Sequence, residues 1–268
     1  MTIPPQEFND RNETLRVIHK RRSVRAYAST PIPEEIKNQI IHAAMRAPTA
    51  GNLMLYSILE VRDQNKKAQL VKTCDNQPFI AKAPLVLIFL ADQQRMYDFY
   101  TTSGVPSLCD QKGVEFRTPA ASDLLLASCD ALIAAQTAVI AAESLGIGSC
   151  YIGDVMENIE THRAMFNLPP WVFPTTMVCF GYPKKETFSG NFNTRFNQKY
   201  IHFVDSYRQL QKQDFQEMYD HQMTPGFHAG DFPLGAANLA HLYYLRKTGS
   251  EFSEEMARSV NVALDSWK

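Results

Sequence analysis

Four cations fall within eight residues near the N-terminus, in Lys20-Arg21-Arg22-Ser23-Val24-Arg25-Ala26-Tyr27. Guanidinium groups present planar donor forks that match phosphate oxygens, and Ser23 adds a hydroxyl and a backbone N–H. Such a cluster ahead of a helix can hold a phosphate. On composition alone it reads rather as a solvated basic edge, or as a helix C-terminus whose cations complement the dipole. A second segment, Leu145-Gly146-Ile147-Gly148-Ser149-Cys150-Tyr151-Ile152-Gly153, is rich in glycine. It fails the G-x-G-x-x-G pattern because position 151 is tyrosine, and it follows a helix where a dinucleotide loop follows a strand. Two readings remain open for it: a turn whose backbone can approach a flat ligand closely, and a plain helix stop.

Other chemistries find no support in the residue pattern. The histidines at 19, 42, 162, 202, 221, 228 and 241 make no H-E-x-x-H or other tight ligand spacing, so no metal site is expected. There is no G-x-S-x-G nucleophile motif and no Walker A lysine after a glycine-rich loop. The five cysteines (Cys74, Cys109, Cys129, Cys150, Cys179) are an odd number without a C-x-x-C pair, the usage of a reducing compartment. A formal net charge of -1, from 27 basic and 28 acidic residues, gives no global field for nucleic acid or anionic membrane, so any anion site must be local. The polar N-terminus lacks the apolar core of a signal peptide, and no uninterrupted run of about 18 apolar residues is present. A cytoplasmic protein is expected.

The elements that must position these residues can be read along the chain. Residues 1–16 are expected to form an arm. The segment 31–47 carries Ile36, Ile40, Ile41 and Ala44 at helical spacing behind Pro33, Glu34 and Glu35, and predicts a helix. Residues 48–52 read as a loop, 55–62 as a strand, and 66–72 as a short helix. The apolar run 84–91 predicts a buried central strand. Residues 93–121, with Tyr97, Phe99, Tyr100 and Phe116, read as an excursion whose aromatics either wall a site or pack. From Ser122, a suitable N-cap, to Leu145 an alanine-rich helix runs to a stop at Gly146, apolar on nearly all faces. A short helix at 156–167 and a strand at 175–182 follow. The tail offers a strand or extended segment at 200–204 and helices near 205–222, 235–246 and 253–266. Without a regular βαβ rhythm the fold class is α+β, a mixed, mainly antiparallel sheet packed between helices. The expected division is a core domain at 1–204 and a C-terminal helical extension at 205–268.

Taken in order, these pieces resemble the nitroreductase family of FMN-dependent NAD(P)H oxidoreductases. The resemblance rests on RRSVRAY at 21–27, AAMRAPTAGN at 43–52, FIAKAPLVLIFLAD at 79–92, GIGSCYIGD at 146–154, LPPWVFPTTMVCFGYP at 168–183 and NTRFNQKY at 193–200. It implies a homodimer with two FMN sites at its interface. It assigns the FMN phosphate and ribityl chain to Arg21 and Ser23, within a cluster whose Arg22 has no separate role. Arg25 falls to the N1/O2 edge of the flavin, where a fixed cation stabilises reduced-flavin charge. Pro48, Thr49, Ala50 and Asn52 would pack along the ring system across the interface. Cys150, Tyr151, Ile152 and Gly153 would approach the isoalloxazine with a backbone N–H towards N5. Arg195 would complete the phosphate grip, and Gln77 would bond the pyrimidine edge.

The implied activity is hydride transfer from NADH or NADPH through flavin N5 to nitroaromatic, quinone or related electron-poor acceptors, with no protein nucleophile because the cofactor carries the chemistry. Departures bear on the substrate: Met54-Leu55-Tyr56 where many members have Gln-Pro-Trp, Asn193 where a second basic residue is common, and Ile152 where some have glutamate. They leave open a specialised flavin enzyme of the same fold, such as a dehalogenase, a flavin-fragmenting enzyme or a biosynthetic dehydrogenase. A non-catalytic flavin-binding redox sensor is the remaining alternative.

Overall fold

The run Leu85–Asp92 is buried at all eight positions, and the rest of the sheet is assembled around it. The structure, a computed structural model, describes residues 12–184, 195–220 and 232–268. In chain order they form helix α1 (Glu13–Lys20), helix α2 (Glu34–Met45), strand β1 (Tyr56–Glu60), and helices α3 (Gln64–Thr73) and α4 (Phe79–Lys82). Strand β2 (Leu85–Asp92) is followed by α5 (Gln94–Thr102), α6 (Val105–Lys112) and the long α7 (Ala121–Ser144). Then come β3 (Gly148–Ile152), a 3-10 turn at Gly153–Met156, α8 (Ile159–Phe166) and β4 (Val172–Gly181). The remainder is α9 (Lys212–Asp220), α10 (Leu239–Tyr243) running into a π-helical turn at Tyr244–Thr248, and α11 (Glu251–Leu264).

The four strands are ordered β1-β2-β4-β3, and every ladder is antiparallel. A parallel contribution comes from the isolated bridge between Ser23 and Ser149. The α+β expectation holds. Strand alternation gives the sheet two apolar faces. Leu85, Leu87 and Phe89 of β2, with Val178 and Phe180 of β4, pack against Ala131, Ala134, Ala135, Ala138 and Ala142 of α7 and Ile40 and Ala44 of α2. The run of alanines lets a helix lie close on a sheet without displacing the large β2 side chains. Val86, Ile88 and Leu90 face the other way, onto Leu70, Cys74 and Ile80.

Local signals set most boundaries. Asp63 caps α3, accepting from the Asn65 and Lys66 N–H groups at 2.7 and 3.0 Å, so that helix starts earlier than its apolar pattern. Helix α7 is closed at its start not by Ser122 but by Asp123. The Asp123 carboxylate accepts the Ala120 N–H at 2.8 Å and is gripped by Arg117, whose hydrogen bond holds its carboxyl below the usual carboxylate range. The segment 93–121 is more ordered than an excursion: it holds α5 and α6, and Tyr97 stacks on Phe116 at 5.3 Å and meets the tilted ring of Trp171 at 4.4 Å. Helix α7 is also long and apolar enough to cross a membrane by length and composition. One face is nevertheless packed on the sheet, as in the core helix of a globular protein.

The chain divides into two compact units, Met1–Lys20 with Ser189–Ser253, and Arg21–Phe188 with Glu254–Lys268. Neither boundary falls at 204/205. In the second unit Ala263 and Trp267 are buried with Leu55, Leu124, Ile159 and Phe173, so the end of the chain belongs to the core of the sheet unit. In the first unit the expected strand at 200–204 is absent. Gln198–Tyr200 is a 3-10 turn, and the Tyr200 hydroxyl donates to Glu217 of α9 at 2.6 Å. A strand needs a neighbouring backbone to bond, and the described residues of this unit hold no sheet. The arm expected at 1–16 lies outside the described residues as far as residue 11, and α1 begins at Glu13.

Glycine at 148 is required by a close approach. A Cβ there would sit 2.6 Å from Val24 Cγ2 and 2.9 Å from Val24 Cβ. Gly148→Ala should therefore lose about 1–3 kcal/mol by urea unfolding, and Val24→Ala in the same chain should recover part of that loss. Full stability in the single variant would contradict the packing described.

Candidate functional site

The Arg21–Arg25 segment is strapped along the outer edge of β3. Val24 N–H donates to the Ser149 carbonyl at 2.8 Å, Ala28 N–H to Tyr182 at 2.8 Å, and Lys184 N–H to Ala26 at 3.2 Å. Val24 and Tyr27 point inward and are buried, while Ser23 and Arg25 are exposed and Arg21 and Arg22 half-buried. The Tyr27 phenol donates to the carbonyls of Val24 (2.7 Å) and Cys179 (3.2 Å), and burial pushes its pKa up. The alternation thus sinks two apolar anchors and leaves the polar residues on the surface of the strap. The helix-end reading applies to Lys20, which closes α1, and not to the arginines that follow.

The arginines converge on one corner. Burial pushes up the Glu143 carboxyl on α7, opposed by the nearby charges of Arg21 and Arg22. Burial also raises the Cys150 thiol, opposed by Arg25, which hydrogen-bonds to it, and by Arg21. A buried thiol held protonated is a poor nucleophile. The Tyr151 phenol is pushed up to about 12 by burial, against the opposing charge of Arg21, and donates to Gln136 of α7 at 3.2 Å. Because Ser149 turns its carbonyl to the strap, strand alternation turns the Tyr151 N–H to the same outer edge. Ile152 is buried in the core and offers only backbone. Gln77 joins this corner: its Nε2 donates to Asp154 at 2.9 Å and to the Cys74 carbonyl at 3.1 Å. The buried Ser149 hydroxyl has no partner among the described residues. Several guanidinium groups, an edge N–H and a flat strand surface fit a phosphorylated planar cofactor.

The 48–55 loop is elsewhere. It enters β1, at the opposite edge of the sheet from β3. Ala50 N–H and Leu55 N–H both donate to the Asp130 carboxylate, at 3.0 and 3.1 Å. The loop is strained: Gly51, Asn52 and Met54 all have positive φ, of 55, 59 and 50°. A non-glycine in that region costs about 1–3 kcal/mol, and Met54 is held there by Arg95, whose guanidinium bonds the Met54 carbonyl and, at 3.1 Å, that of Tyr56. Asp130 and Glu143 are both on α7, which separates the two halves of the expected site by about 20 Å along the helix. Pro48, Thr49, Ala50 and Asn52 are therefore not brought to Arg21–Arg25 within one chain. Arg195 is exposed and belongs to the other compact unit. Asn193 lies outside the described residues.

Asp130 escaped notice in the sequence. The available signal was its position as the sole charge between Asp123 and Glu143 in an otherwise apolar and neutral helix. A buried acid there must be satisfied, and two backbone N–H groups do so.

Residues 18–182 match the model of the nitroreductase family. Among curated relatives, FMN reductase [NAD(P)H] of Bacillus subtilis (strain 168) is 31% identical over 214 residues, covering 80% of this chain and 82% of that protein. Among solved structures, an oxidoreductase from Bacteroides fragilis NCTC 9343 superposes with a TM-score of 0.78 at 26% identity, covering 94% of this chain and 98% of that one. Nitroreductase A from Vibrio parahaemolyticus RIMD 2210633 gives 0.70 at 27% identity, covering 79% and 83%.

Asp130→Asn keeps the shape but exchanges one acceptor for a donor facing an N–H group. It should cost about 1.5–3 kcal/mol in urea unfolding, as for other hydrogen bonds to a charged group. A change below about 0.5 kcal/mol, the scale of neutral surface substitutions, would show that the carboxylate does not clamp the loop.

Proposed function

This chain belongs to the nitroreductase family, and we propose that it is an FMN-dependent NAD(P)H oxidoreductase acting on nitroaromatic, quinone or related electron-poor acceptors. The observation that carries the reading is the 2.8 Å bond from Val24 to Ser149, which lays Arg21–Arg25 along the open edge of β3. FMN, when bound, supplies a two-electron carrier that accepts hydride from NADH or NADPH and passes reducing equivalents to the acceptor. The chain supplies binding and electrostatics. Arg21 and Ser23 hold the phosphate side, with Arg22 adding charge. Arg25 keeps a cation at the ring's N1/O2 edge, where negative charge develops on reduction. The backbone of Cys150–Gly153 offers its edge N–H to the ring, and Gln77 meets the pyrimidine side.

A homodimer is part of the same proposal, cytoplasmic and without nucleic-acid or membrane partners. The face of α7 turned away from the sheet exposes Leu125, Leu126, Leu132 and Ile133, at 40 to 70%. An apolar stripe of that kind marks an interface. Pairing of two copies through this stripe would bury it in the homodimer interface. In that homodimer the partner's 48–52 loop is the segment expected to close the ring site that a single chain leaves open.

The purified protein should be yellow, release FMN on denaturation, and oxidise NADH or NADPH with menadione or nitrofurazone present. Arg21→Ala should weaken FMN binding by about 1.5–3 kcal/mol, roughly 10- to 150-fold in Kd by flavin fluorescence quenching. A yellow, FMN-loaded protein without turnover on any acceptor would favour the redox-sensor reading. Unchanged affinity in Arg21→Ala would remove the proposed phosphate site.

A further inference from the structure

Beside the β3 corner sits a carboxyl group that none of the roles above uses. Glu157 is 4% exposed, and its Oε1 is buried without a partner among the described residues. It follows the 3-10 turn Gly153–Met156, in which the Glu157 N–H donates to the Asp154 carbonyl at 3.1 Å. The Glu157 carboxyl thereby lies within hydrogen-bonding reach of that of Asp154. Asp154 is the group that holds the Gln77 Nε2 at 2.9 Å, while the Cys74 carbonyl takes the second N–H at 3.1 Å. Both amide hydrogens are therefore committed. The Gln77 Oε1 is left to face a ligand as an acceptor only.

Two neighbouring carboxyls, Glu157 buried and Asp154 half-buried, cannot both ionise cheaply, and one proton shared between them resolves the conflict. We propose that Glu157 and Asp154 form a proton-sharing pair that fixes the Gln77 carboxamide as a hydrogen-bond acceptor, making both acids positioning residues for the pyrimidine edge of the cofactor. This rests on the FMN reading of the site given above.

The surroundings favour the protonated form. Burial first, then the charges of Asp154, Asp75 on the turn after α3 and Glu255 on α11, push Glu157 up to about 7. From α8, His162 is turned to the Val155 carbonyl and Thr73 Oγ1, and burial lowers its pKa, so it brings no positive charge. Arg258 of α11 is spent on Glu160 and Glu255. The sign follows. Below about 7 the Glu157 O–H donates to the Asp154 carboxylate, and Asp154 holds Gln77. As pH rises through that value the proton is lost, two anions face each other, and the grip on Gln77 loosens. FMN affinity falls with rising pH.

The test is the FMN dissociation constant of wild type and Glu157→Gln, measured by flavin fluorescence quenching at about pH 6 and pH 8. The rise over that interval should be at least about fivefold larger in wild type than in Glu157→Gln, a permanent donor to Asp154. Titration of the FMN phosphate acts on both proteins alike and cancels in the comparison. Infrared titration should show a protonated-carboxyl band that vanishes near neutral pH in wild type and is missing from Glu157→Gln. Should that variant fail to fold by circular dichroism, Asp154→Asn replaces it, with weaker FMN binding at about pH 6 and the pH dependence gone. Equal pH profiles in wild type and variant, or a carboxyl band unchanged by Glu157→Gln, would overturn the pair while leaving the FMN reading intact. A wild type that binds no FMN at either pH would overturn that reading and the pair with it.

Discussion

The backbone bond from Val24 to Ser149 decides where three guanidinium groups stand. A chain segment carrying Arg21, Arg22 and Arg25 would by itself be solvated and mobile, since like charges repel and long side chains lose entropy when ordered. Here Val24 and Tyr27 are driven into the core beneath β3 and pull the strap down onto the strand edge. The contact is possible because residue 148 has no side chain where Val24 Cγ2 comes within 2.6 Å of the ideal Cβ position. Hydrophobic burial at two positions thus does what the charges could not do for themselves. It confines positive potential to one corner of a protein whose net charge is close to zero.

Helix α7 acts as the ruler for everything else. Its alanine face sets the distance to the sheet, Gln136 and Glu143 meet the β3 corner, and Asp130 clamps the loop that enters β1. A rigid helix with both ends engaged keeps the arginine corner and the 48–55 loop about 20 Å apart in one chain. The remaining face carries the exposed apolar stripe of Leu125, Leu126, Leu132 and Ile133, the surface proposed above to meet a second copy. The end of the chain braces the same unit from another side. Ser259 accepts the Ile159 N–H at 2.9 Å and donates to the Met156 carbonyl at 2.7 Å, and Trp267 is buried beside Phe173. What reads as an appended tail is, over residues 254–268, part of the support for the turn that carries Asp154 and Glu157.

Much of this was legible in the residues themselves. The burial of β2 followed from eight consecutive positions without a polar break until Asp92, and α7 from its composition and the stop at Gly146, where φ is 73°. The arginine cluster, the 48–52 loop and the Cys150–Gly153 strand were identifiable as pieces and in order. The helices of 93–121 were obscured because their aromatics and turn residues carry no clean periodicity. The extended reading of 200–204 failed because aromatic and β-branched residues favour a strand only where a partner backbone exists.

Local physics and long-range physics therefore divide the molecule between them. Period, capping and composition act within a few residues, so the sequence alone determined helices α2 and α7, the buried strand and the chemical character of Arg21–Arg25. Spatial proximity depends on which backbones pair and which cavities close, and those are properties of the whole chain. Only the tertiary structure decided that the strap lies on β3, that Asp130 reaches across to clamp the 48–55 turn, that Gln77 turns an amide hydrogen to Asp154, and that one chain separates the two halves of its candidate site. The reason is that each of these contacts joins segments far apart in sequence, whose meeting no local pattern encodes.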